Sequence, residues 1–429
     1  MEEKKDIYKF SRFLYIIEAA LEYFVALSIG SVYLAKVTAY LGLSDGLTGI
    51  LSAFVSLGCG FQLIAIFLVN KQPVKHWVTA GHMVSQLFFA FIFIVPVVNL
   101  SLKARTVIFV IILLSAHIIH NVVNSPKINW YMSLVDDDKR GRFTANKEIV
   151  SLITGMAFSY GFAAIIDYFE ARGDMRTALI FCGIAVFGLM VLHSVTLILS
   201  KEKPAEKKEK RESTAASIKE LFKNKMLRRI IFLFMIWNVA AYSTMAFVGT
   251  YQTKELGFSM TYASIIIMIG SFARVILSRV MGRFADKFSF AKMLTVSYAI
   301  VAIAFGINIF TVPQNGKVFY AVFYALYCIC MAGVSSSAIN LIYDYVKPEQ
   351  RTQAFALNQT TAGITGFLTT LAVSPLVSYI QNNGNRFFGL SVYAQQVTSA
   401  FSFIVTVLLV VYMLIAVCGV KRPGEDAEK

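Results

Sequence analysis

The sequence predicts an all-α membrane protein that crosses the bilayer with twelve helices. Of its 429 residues, 57% are hydrophobic and only 15% are charged, whereas soluble globular proteins carry about 25% charged residues. The apolar residues fall in long runs such as 401–420, and about 20 apolar residues are what a helix needs to cross the ~30 Å hydrocarbon layer. Because the Lys and Arg residues lie between these runs, the net charge of +15 does not indicate a soluble nucleic-acid-binding domain.

Hydropathy divides the chain into twelve helical segments with one long hydrophilic stretch near the middle. The stretch 201–227 separates a predicted N-terminal six-helix bundle, 1–200, from a predicted C-terminal six-helix bundle, 228–429. Residues 218–222 have helical spacing, which predicts an amphipathic helix on the cytoplasmic membrane surface within this linker. The predicted helices are 12–38, 45–69, 76–98, 104–126, 147–168, 177–199, 228–250, 260–280, 291–312, 318–345, 353–379 and 393–419.

The distribution of Lys and Arg predicts that both termini are cytoplasmic. If the N-terminus is cytoplasmic, the segments on that side hold 31 Lys and Arg residues and those on the other side hold 8. Such an excess is typical of the cytoplasmic side of a multi-pass protein, here in the cytoplasmic membrane. The first apolar segment contains Glu18 and Glu22 and lacks a cleavage site, so we expect a retained helix and not a signal peptide.

Short matches between the two halves predict an internal repeat. Leu41–Ser44 reads Leu-Gly-Leu-Ser and Leu256–Ser259 reads Leu-Gly-Phe-Ser, at an offset of 215 residues. Two further short pairs have offsets of 216 and 211 residues. Three matches near half the chain length favour a duplicated six-helix unit, and therefore two pseudo-symmetric six-helix bundles.

The loop after the eighth predicted helix resembles a known motif. Residues 282–287 read Gly-Arg-Phe-Ala-Asp-Lys, similar to the cytoplasmic Gly-x-x-x-Asp-Arg/Lys signature of the major facilitator superfamily. That signature usually follows the second helix, but here 69–73 lacks both the Gly and the Asp. The loops 138–142 and 349–351 resemble the loops that the family has after helices 4 and 10.

The resemblance covers nearly the whole chain and implies the fold of this superfamily, with transport by alternating access. The chain resembles the bacterial members of the superfamily. It has no motif of the sugar porters or of the proton-driven drug antiporters that would identify a subfamily. The resemblance also implies gating contacts at two sets of loop residues. These are Gly282, Arg283, Asp286 and Lys287 in the signature, and Arg140 and Arg351 in the other two loops.

Physical arguments agree with a gating role for the signature. Gly282 would allow two helices to approach closely, and Asp286 could accept hydrogen bonds at a helix N-terminus. Arg283 and Lys287 could pair with acidic groups in one conformation and release them in another. The alternative is that the loop only sets the orientation of the protein in the membrane.

Charged residues inside predicted helices are candidates for coupling or binding, because each is costly in the bilayer. Glu18 and Glu22 share one face of the first helix, and Glu22 lies about 15 Å from Arg12 along the axis. Two carboxylates so close are not both readily ionised, which favours a proton carrier. The alternative is a protonated glutamate hydrogen-bonded within the bundle. Arg274 is predicted to be the only permanent cation well inside the membrane, paired with a carboxylate or an anionic substrate.

A polar stripe runs along the fourth predicted helix, where four side chains share an arc of about 100°. A histidine there can change protonation near neutral pH, although polar contacts between helices and a metal site are alternatives. We expect no metal site and no cofactor. The stripe consists of His117, His120, Asn121 and Asn124.

Further polar side chains on helices of the second half predict a cavity for a polar, hydrogen-bonding solute. They lie on the predicted seventh, tenth and eleventh helices and carry amide, phenol and hydroxyl groups. These candidates are Asn238, Tyr242, Asn340, Asn358 and Thr361.

Together these features predict a secondary active transporter that moves a small polar or anionic solute, coupled to protons or else to Na⁺. A multidrug or lipid exporter of the same fold and a polytopic membrane sensor are the alternatives. We do not expect an enzyme, because no nucleophile or metal motif is present. The expected partners are the small-molecule substrate, the coupling ion and the lipid bilayer, without nucleic acid, and we expect a monomer.

The predicted topology can be tested with cysteine tags and a membrane-impermeant thiol reagent. A tag at Lys201 should react only from the cytoplasmic side, and tags at Arg172 or Asn383 only from outside, because the Lys and Arg bias sets the orientation. The five native cysteines should first be replaced with serine. The opposite sidedness would overturn the helix count or the orientation.

Overall fold

The computed structural model describes residues 6–68, 73–136, 139–204, 219–347 and 350–419. Within these ranges, eleven helices are long and apolar enough to cross a membrane, and a bent helix pair at the start supplies a twelfth span. The all-α membrane fold with twelve spans is confirmed.

The spans are labelled α1 to α12 in chain order. Their bounds are α1 Lys9–Ser28 continued by Ser31–Tyr40, α2 Asp45–Ala65, α3 Lys75–Val97, α4 Leu102–Ser133, α5 Arg140–Glu170, α6 Met175–Leu199, α7 Lys225–Glu255, α8 Met260–Lys287, α9 Phe290–Ile309, α10 Gly316–Tyr343, α11 Arg351–Asn382 and α12 Ala394–Val417.

The predicted bounds agree with these spans to within a few residues at most ends. The largest differences are at the end of α4, the start of α5 and the end of α8, which was predicted at 280 but lies at Lys287. The fourth helix was predicted to end at 126 but continues to Ser133, and the fifth begins at Arg140 where 147 was predicted. Pro126 and Lys127 end the apolar run, yet both lie inside α4. A proline is tolerated within a membrane helix when neighbouring groups satisfy the freed backbone. Lys127 is therefore a residue of a membrane helix, and its prediction as a loop residue was wrong.

The first span of each half is interrupted at a corresponding place. The two parts of α1 meet at 45° around Gly30, where Ser31 has a φ of 41°. In α7, regular α-helix ends at Thr244 and gives way to a 3₁₀ turn over Met245–Phe247. Both interruptions lie about two thirds of the way along the span. Departures from α-helix free backbone groups for side chains or ligands.

The predicted repeat is confirmed in backbone conformation at its best-matched segments. Gly42 and Gly257 both have a positive φ, 71° and 65°, which an L side chain rarely adopts. Ser44 then accepts a hydrogen bond from the backbone N–H of Leu47 and caps α2, and Ser259 caps α8 in the same way. The two segments thus begin equivalent helices in the two halves.

By contacts between Cα atoms, the chain divides into two compact units. The first is Met1–Leu43 with Ile64–Glu209, and the second is Ser44–Leu63 with Lys210–Lys429. In the first unit, α3 packs against α4 and α6, and α1 packs against α5 and α6. In the second, α10 packs against α8 and α9, α12 against α7 and α9, and α11 against α7 and α2.

This division differs from the predicted bundles in one helix, because most of α2 lies in the second unit. The predicted bounds 1–200 and 228–429 therefore stay a prediction based on the repeat. The predicted amphipathic helix at 218–222 lies partly outside the described residues, and Lys219–Leu221 forms a single helical turn.

A short hairpin between α11 and α12 is the one departure from helix and loop that the described residues contain. Strands β1, Arg386–Phe387, and β2, Leu390–Ser391, pair antiparallel. Phe388 and Gly389 between them both have positive φ, as a tight two-residue hairpin turn requires. Hydropathy did not predict this hairpin, because two-residue strands leave no periodic signal.

The contact between α2 and α11 depends on small residues. A Cβ atom at Gly363 would lie 2.4 Å from the backbone oxygen of Ser56, and one at Gly366 would lie 2.5 Å from the Ser56 Oγ. The Ser56 hydroxyl donates a hydrogen bond to the Gly363 carbonyl, 2.9 Å away. Such close backbone approach is how membrane helices associate where the hydrophobic effect gives no net attraction.

We therefore expect Gly363→Ala to destabilise the protein in detergent by about 1–3 kcal/mol, because the new methyl group meets backbone atoms. The measurement is the melting temperature of the purified protein. Gly188→Ala in α6 is the control, since no described atom lies within 4 Å of a Cβ there, and its melting temperature should not fall. Equal melting temperatures for both variants would contradict the close contact.

Candidate functional site

Four helices of the first unit bring six ionisable side chains together inside the protein. α1 contributes two carboxylates, α3 and α6 one imidazole each, and α4 an imidazole and an ammonium group. At ~1.5 Å per residue, the two carboxylates lie about 14 Å and about 20 Å along the axis from the start of α1. We call this group the charge cluster: Glu18, Glu22, His82, His120, Lys127 and His193.

The ammonium group of Lys127 lies between the two carboxylates. Its Nζ is 2.6 Å from the Glu18 Oε1 and 2.5 Å from the Glu22 Oε2, and the side chain is 1% exposed. The prediction that Arg274 is the only cation well inside the membrane was therefore wrong. The repulsion expected between the carboxylates is also offset, because one cation binds both of them.

Three histidines extend the charge cluster. The His193 Nε2 lies 2.8 Å from the Glu18 Oε1, and the His120 Nε2 lies 3.5 Å from the Glu22 Oε1. The ring of His82 stands 5.4 Å and 5.6 Å, centroid to centroid, from those of His193 and His120. His82 is fully buried, and neither of its ring nitrogens has a hydrogen-bond partner among the described residues.

The formal charges of the charge cluster do not cancel. With the three imidazoles neutral, two carboxylates and one ammonium group leave a net charge of −1. Lys147 of α5, whose Nζ lies 3.5 Å from the Tyr15 hydroxyl of α1, adds a positive charge nearby that acts on both carboxylates. The members of the cluster thus include more acidic than permanently basic groups.

The polar stripe predicted on α4 contributes one member to this cluster. His120 joins it, whereas His117 packs its ring against Phe89, with the centroids 5.1 Å apart. Asn121 donates its amide N–H to the His117 carbonyl, one turn back, and Asn124 is half-buried. Three of the four stripe residues thus lie outside the charge cluster.

Sequence reasoning missed three members of the charge cluster, and each had only a weak signal. Lys127 adjoins Pro126 and was counted among loop cations. His82 and His193 are isolated polar residues in apolar helices, where a single histidine does not suggest a site. The available signal was position. Each of the three lies within seven residues of one end of its helix, and in each case this end is on the same side of the membrane as the start of α1.

The polar candidates of the second unit do not form one comparable cluster. Asn238 donates to the Phe234 carbonyl, and Thr361 donates to the Leu357 carbonyl, both within their own helices. Such hydrogen bonds to the backbone of the same helix use the side-chain donor without a ligand. Asn358 differs, because it is fully buried and neither side-chain polar atom has a partner in the described part of the chain.

The remaining three candidates of this unit lie on separate helices. Arg274 on α8 donates from its Nη2 to the Ser335 Oγ of α10, 3.3 Å away. The ring of Tyr242 on α7 packs beside Gly366 of α11. Asn340 on α10 is half-buried. The carboxylates of Glu18 and Glu22 bind Lys127 and not Arg274.

The structure corrects one of the predicted gating contacts. Among the described residues, no atom lies within 4 Å of a Cβ placed at Gly282, so no close helix contact depends on this glycine. Lys287 stands over the ring of its neighbour Phe288, and the Arg283 side chain is exposed. The side chains of Asp286 and Arg140 lie outside the described set.

Arg351 is held by its own loop. Its guanidinium group stands over the Tyr343 ring, 4.9 Å from the centroid, and donates to the Tyr343 carbonyl. This contact joins the end of α10 to the start of α11 within the second unit. A gating role for Arg351 stays a prediction.

A second polar group of side chains lies in the second unit, where α2, α7 and α11 come together. Asp45 forms an ion pair with Lys254 and accepts a hydrogen bond from Gln381, 2.7 Å away. Glu255 accepts from Gln381 and from Asn385, each at 3.3 Å. These residues line a cavity of about 600 Å³. The sequence did not single them out, because they stand at helix ends where charged residues are common.

A family model described as Major Facilitator Superfamily matches residues 19–370. The chain belongs to the major facilitator superfamily. The resemblance read from the 282–287 signature and from the repeat is thereby confirmed over most of the chain. Membership makes the protein a multi-pass membrane transporter, and no catalytic family is indicated.

Solved structures of this superfamily have the same fold at low sequence identity. The nucleoside transporter NupG is 14% identical with a TM-score of 0.69, covering 94% of this chain and 98% of that one. The xylose transporter XylE from E. coli is 11% identical with a TM-score of 0.67, covering 95% and 98%. A bacterial homologue of the human lysosomal transporter Spinster is 14% identical with a TM-score of 0.63, covering 96% of each chain. A search of curated protein sequences finds no match.

We expect Lys127→Met to destabilise this superfamily member strongly, by about 3–5 kcal/mol, because it leaves two buried carboxylates without their cation. The double variant Lys127→Met with Glu18→Gln should recover part of the loss. Both can be measured as melting temperatures in detergent. Lys139→Met is the matched control, since Lys139 binds Asp136 at an exposed site and its loss should leave the melting temperature unchanged. An equal effect of the two lysine substitutions would contradict the role assigned to Lys127.

Proposed function

We propose that this protein is a proton-coupled secondary active transporter that moves a small polar or anionic solute across the cytoplasmic membrane by alternating access. Both termini are cytoplasmic in this proposal. The observation that carries it is the charge cluster, with its net charge of −1 inside a membrane protein of a transporter superfamily.

The charge cluster has the parts that a proton carrier needs. Hydrogen bonds join Glu22, Lys127, Glu18 and His193 in a series, with successive distances of 2.5, 2.6 and 2.8 Å. The His120 Nε2 stands at an ion-pair distance of 3.5 Å from the Glu22 Oε1, at one end of this series. Groups linked in this way can pass a proton along hydrogen bonds, and histidine changes protonation near neutral pH. Uptake of one proton would bring the net charge of the cluster to zero.

The two ends of this series differ in exposure. The side chains of His120 and Glu22 are 21% and 19% exposed, whereas Glu18, Lys127 and His193 are at most 1% exposed. The Glu22 Oε1 and the His120 Nδ1 are themselves buried, so in this proposal a proton reaches them from the partly exposed side of these two side chains. Protonation of Glu22 would leave Lys127 bound mainly to Glu18, which changes the attachment of α1 to α4.

Such a change provides a means of coupling. A ligand shifts a conformational equilibrium only by its difference in affinity for the two states. The proton meets this condition if the Glu22–Lys127 contact is made in one state and broken in the other. Glu18 is held by both α4 and α6, through Lys127 and His193, and is the fixed member of the series in this proposal.

Two features of the second unit support a polar or anionic solute. Arg274 places a permanent positive charge within a membrane span, and guanidinium groups bind carboxylates and phosphates well. The fully buried amide of Asn358 needs hydrogen-bond partners, which a polar solute or water can supply. Asn238, Tyr242, Asn340 and Thr361 are proposed to line the same path.

The proposal can be tested by a thermal-shift screen of small polar and anionic metabolites on the purified protein. Compounds that raise the melting temperature are then offered as radiolabelled substrates to proteoliposomes with an imposed pH gradient or Na⁺ gradient. Accumulation should follow the pH gradient. Accumulation driven by Na⁺ alone, or stabilisation only by large apolar drugs or lipids, would contradict the proposal.

Glu22→Gln locates the coupling step. This variant should abolish accumulation driven by the pH gradient, while exchange of substrate between compartments of equal pH should retain a measurable rate, because only the proton step is removed. Glu170→Gln is the control at an exposed ion pair with Lys36, and it should accumulate substrate as the unmodified protein does. Unchanged accumulation by Glu22→Gln would place the coupling group elsewhere.

A further inference from the structure

We propose that Glu22, His82 and His120 form a binding site for one divalent first-row transition-metal ion. One ligand atom from each lies within 4.8 Å of the other two. The site goes beyond proton-coupled transport, and the binding does not depend on that proposal. Sequence reasoning found no metal site, because His82 lies far from the other two residues along the chain.

The donor set fits this class of metal ion. Two imidazole nitrogens and one carboxylate oxygen suit zinc, cobalt, nickel, copper or iron, whereas Mg²⁺ and Ca²⁺ prefer oxygen ligands alone. A tetrahedral zinc ion, with bonds of about 2.0–2.1 Å, holds its ligand atoms about 3.3 Å apart. The three donors therefore need to close by at most about 1.5 Å, which rotation about side-chain bonds can provide.

His82 is the independent observation that points to a ligand. The side chain is fully buried, yet neither Nδ1 nor Nε2 has a hydrogen-bond partner in the described ranges. A buried imidazole left without partners carries a desolvation cost that a metal bond would remove. The Glu22 Oε1 is also without a hydrogen bond, since Lys127 binds the other oxygen of that carboxylate.

A second set of candidate donors, Glu18, Glu22 and His193, is equally compact. There, however, the Lys127 ammonium group already bridges the two carboxylates. A metal ion would have to displace that ammonium group. The set with His82 leaves Lys127 in place, and for this reason we assign the site to it.

Lys127 sets the strength of the site. Its positive charge repels a divalent ion nearby and withdraws electron density from the Glu22 carboxylate. The net charge of −1 in the charge cluster nevertheless attracts a cation. Removal of the Lys127 charge should therefore tighten metal binding, whereas damage to the fold would weaken it, so the two effects have opposite signs.

The test uses the full-length protein after removal of any polyhistidine tag and of bound metal by a chelator. Isothermal titration with ZnCl₂ should give one ion per chain, and Co²⁺ should give the visible absorption of a tetrahedral site. His82→Gln and His120→Gln should each weaken Zn²⁺ binding by about tenfold or more and abolish the Co²⁺ spectrum. His76→Gln, at an exposed position of α3, is the control and should bind Zn²⁺ unchanged.

Lys127→Met should bind Zn²⁺ about tenfold more tightly and gain more in melting temperature on addition of Zn²⁺ than the unmodified protein does. If this variant does not fold, the two histidine variants decide the question. Binding that survives His82→Gln unchanged, or that is lost in His76→Gln, would overturn the assignment. Because these measurements use metal alone, they are independent of whether a pH gradient drives transport.

Discussion

The ion pairs of Lys127 with Glu18 and Glu22 are the constraint on which the first unit depends. Two carboxylates on one face of α1 would repel each other and resist burial, and the ammonium group from α4 makes their burial tolerable. The same contacts fix the rotation of α1, because both glutamates must face α4. His193 holds Glu18 from the side of α6, so three helices share one electrostatic contact.

This arrangement is stable but sensitive to charge. A buried ion pair gains little over an apolar contact, whereas loss of one partner is costly. The addition or removal of a single charge in the cluster is therefore a large perturbation within a small volume. In a soluble protein this sensitivity would be a weakness. In the proposed transport cycle, the same sensitivity would let one bound cation change how helices attach to each other.

The sequence predicted the twelve spans, the repeat and the family well, because these depend on patterns that extend over many residues. The Leu-Gly-Leu-Ser and Leu-Gly-Phe-Ser segments have matching backbone conformations, with positive φ at Gly42 and Gly257. Glu18 and Glu22 were found because acidic residues are rare in apolar helices. Lys127 was missed because Pro126 lowers the hydropathy of the last two turns of α4.

Contacts between distant helices account for the other errors. Nothing in the sequence near His82 or His193 indicates that their rings stand beside one another, since α3 and α6 are far apart along the chain. Gly282 was predicted to allow close helix packing, but a motif match does not show what faces a glycine. The glycines that do allow close packing, Gly363 and Gly366, were not singled out, because their partner Ser56 lies about 300 residues away.

Two residues of the charge cluster correspond to aromatic residues in the second half of the chain. At the offsets of 215 and 216 residues that relate the halves, Glu22 corresponds to Trp237 and His82 corresponds to Tyr298. Those two aromatic rings contact each other in the second unit, with centroids 5.2 Å apart. The same two positions of the duplicated unit therefore meet in each half, joined by aromatic packing in one and by ionisable groups in the other.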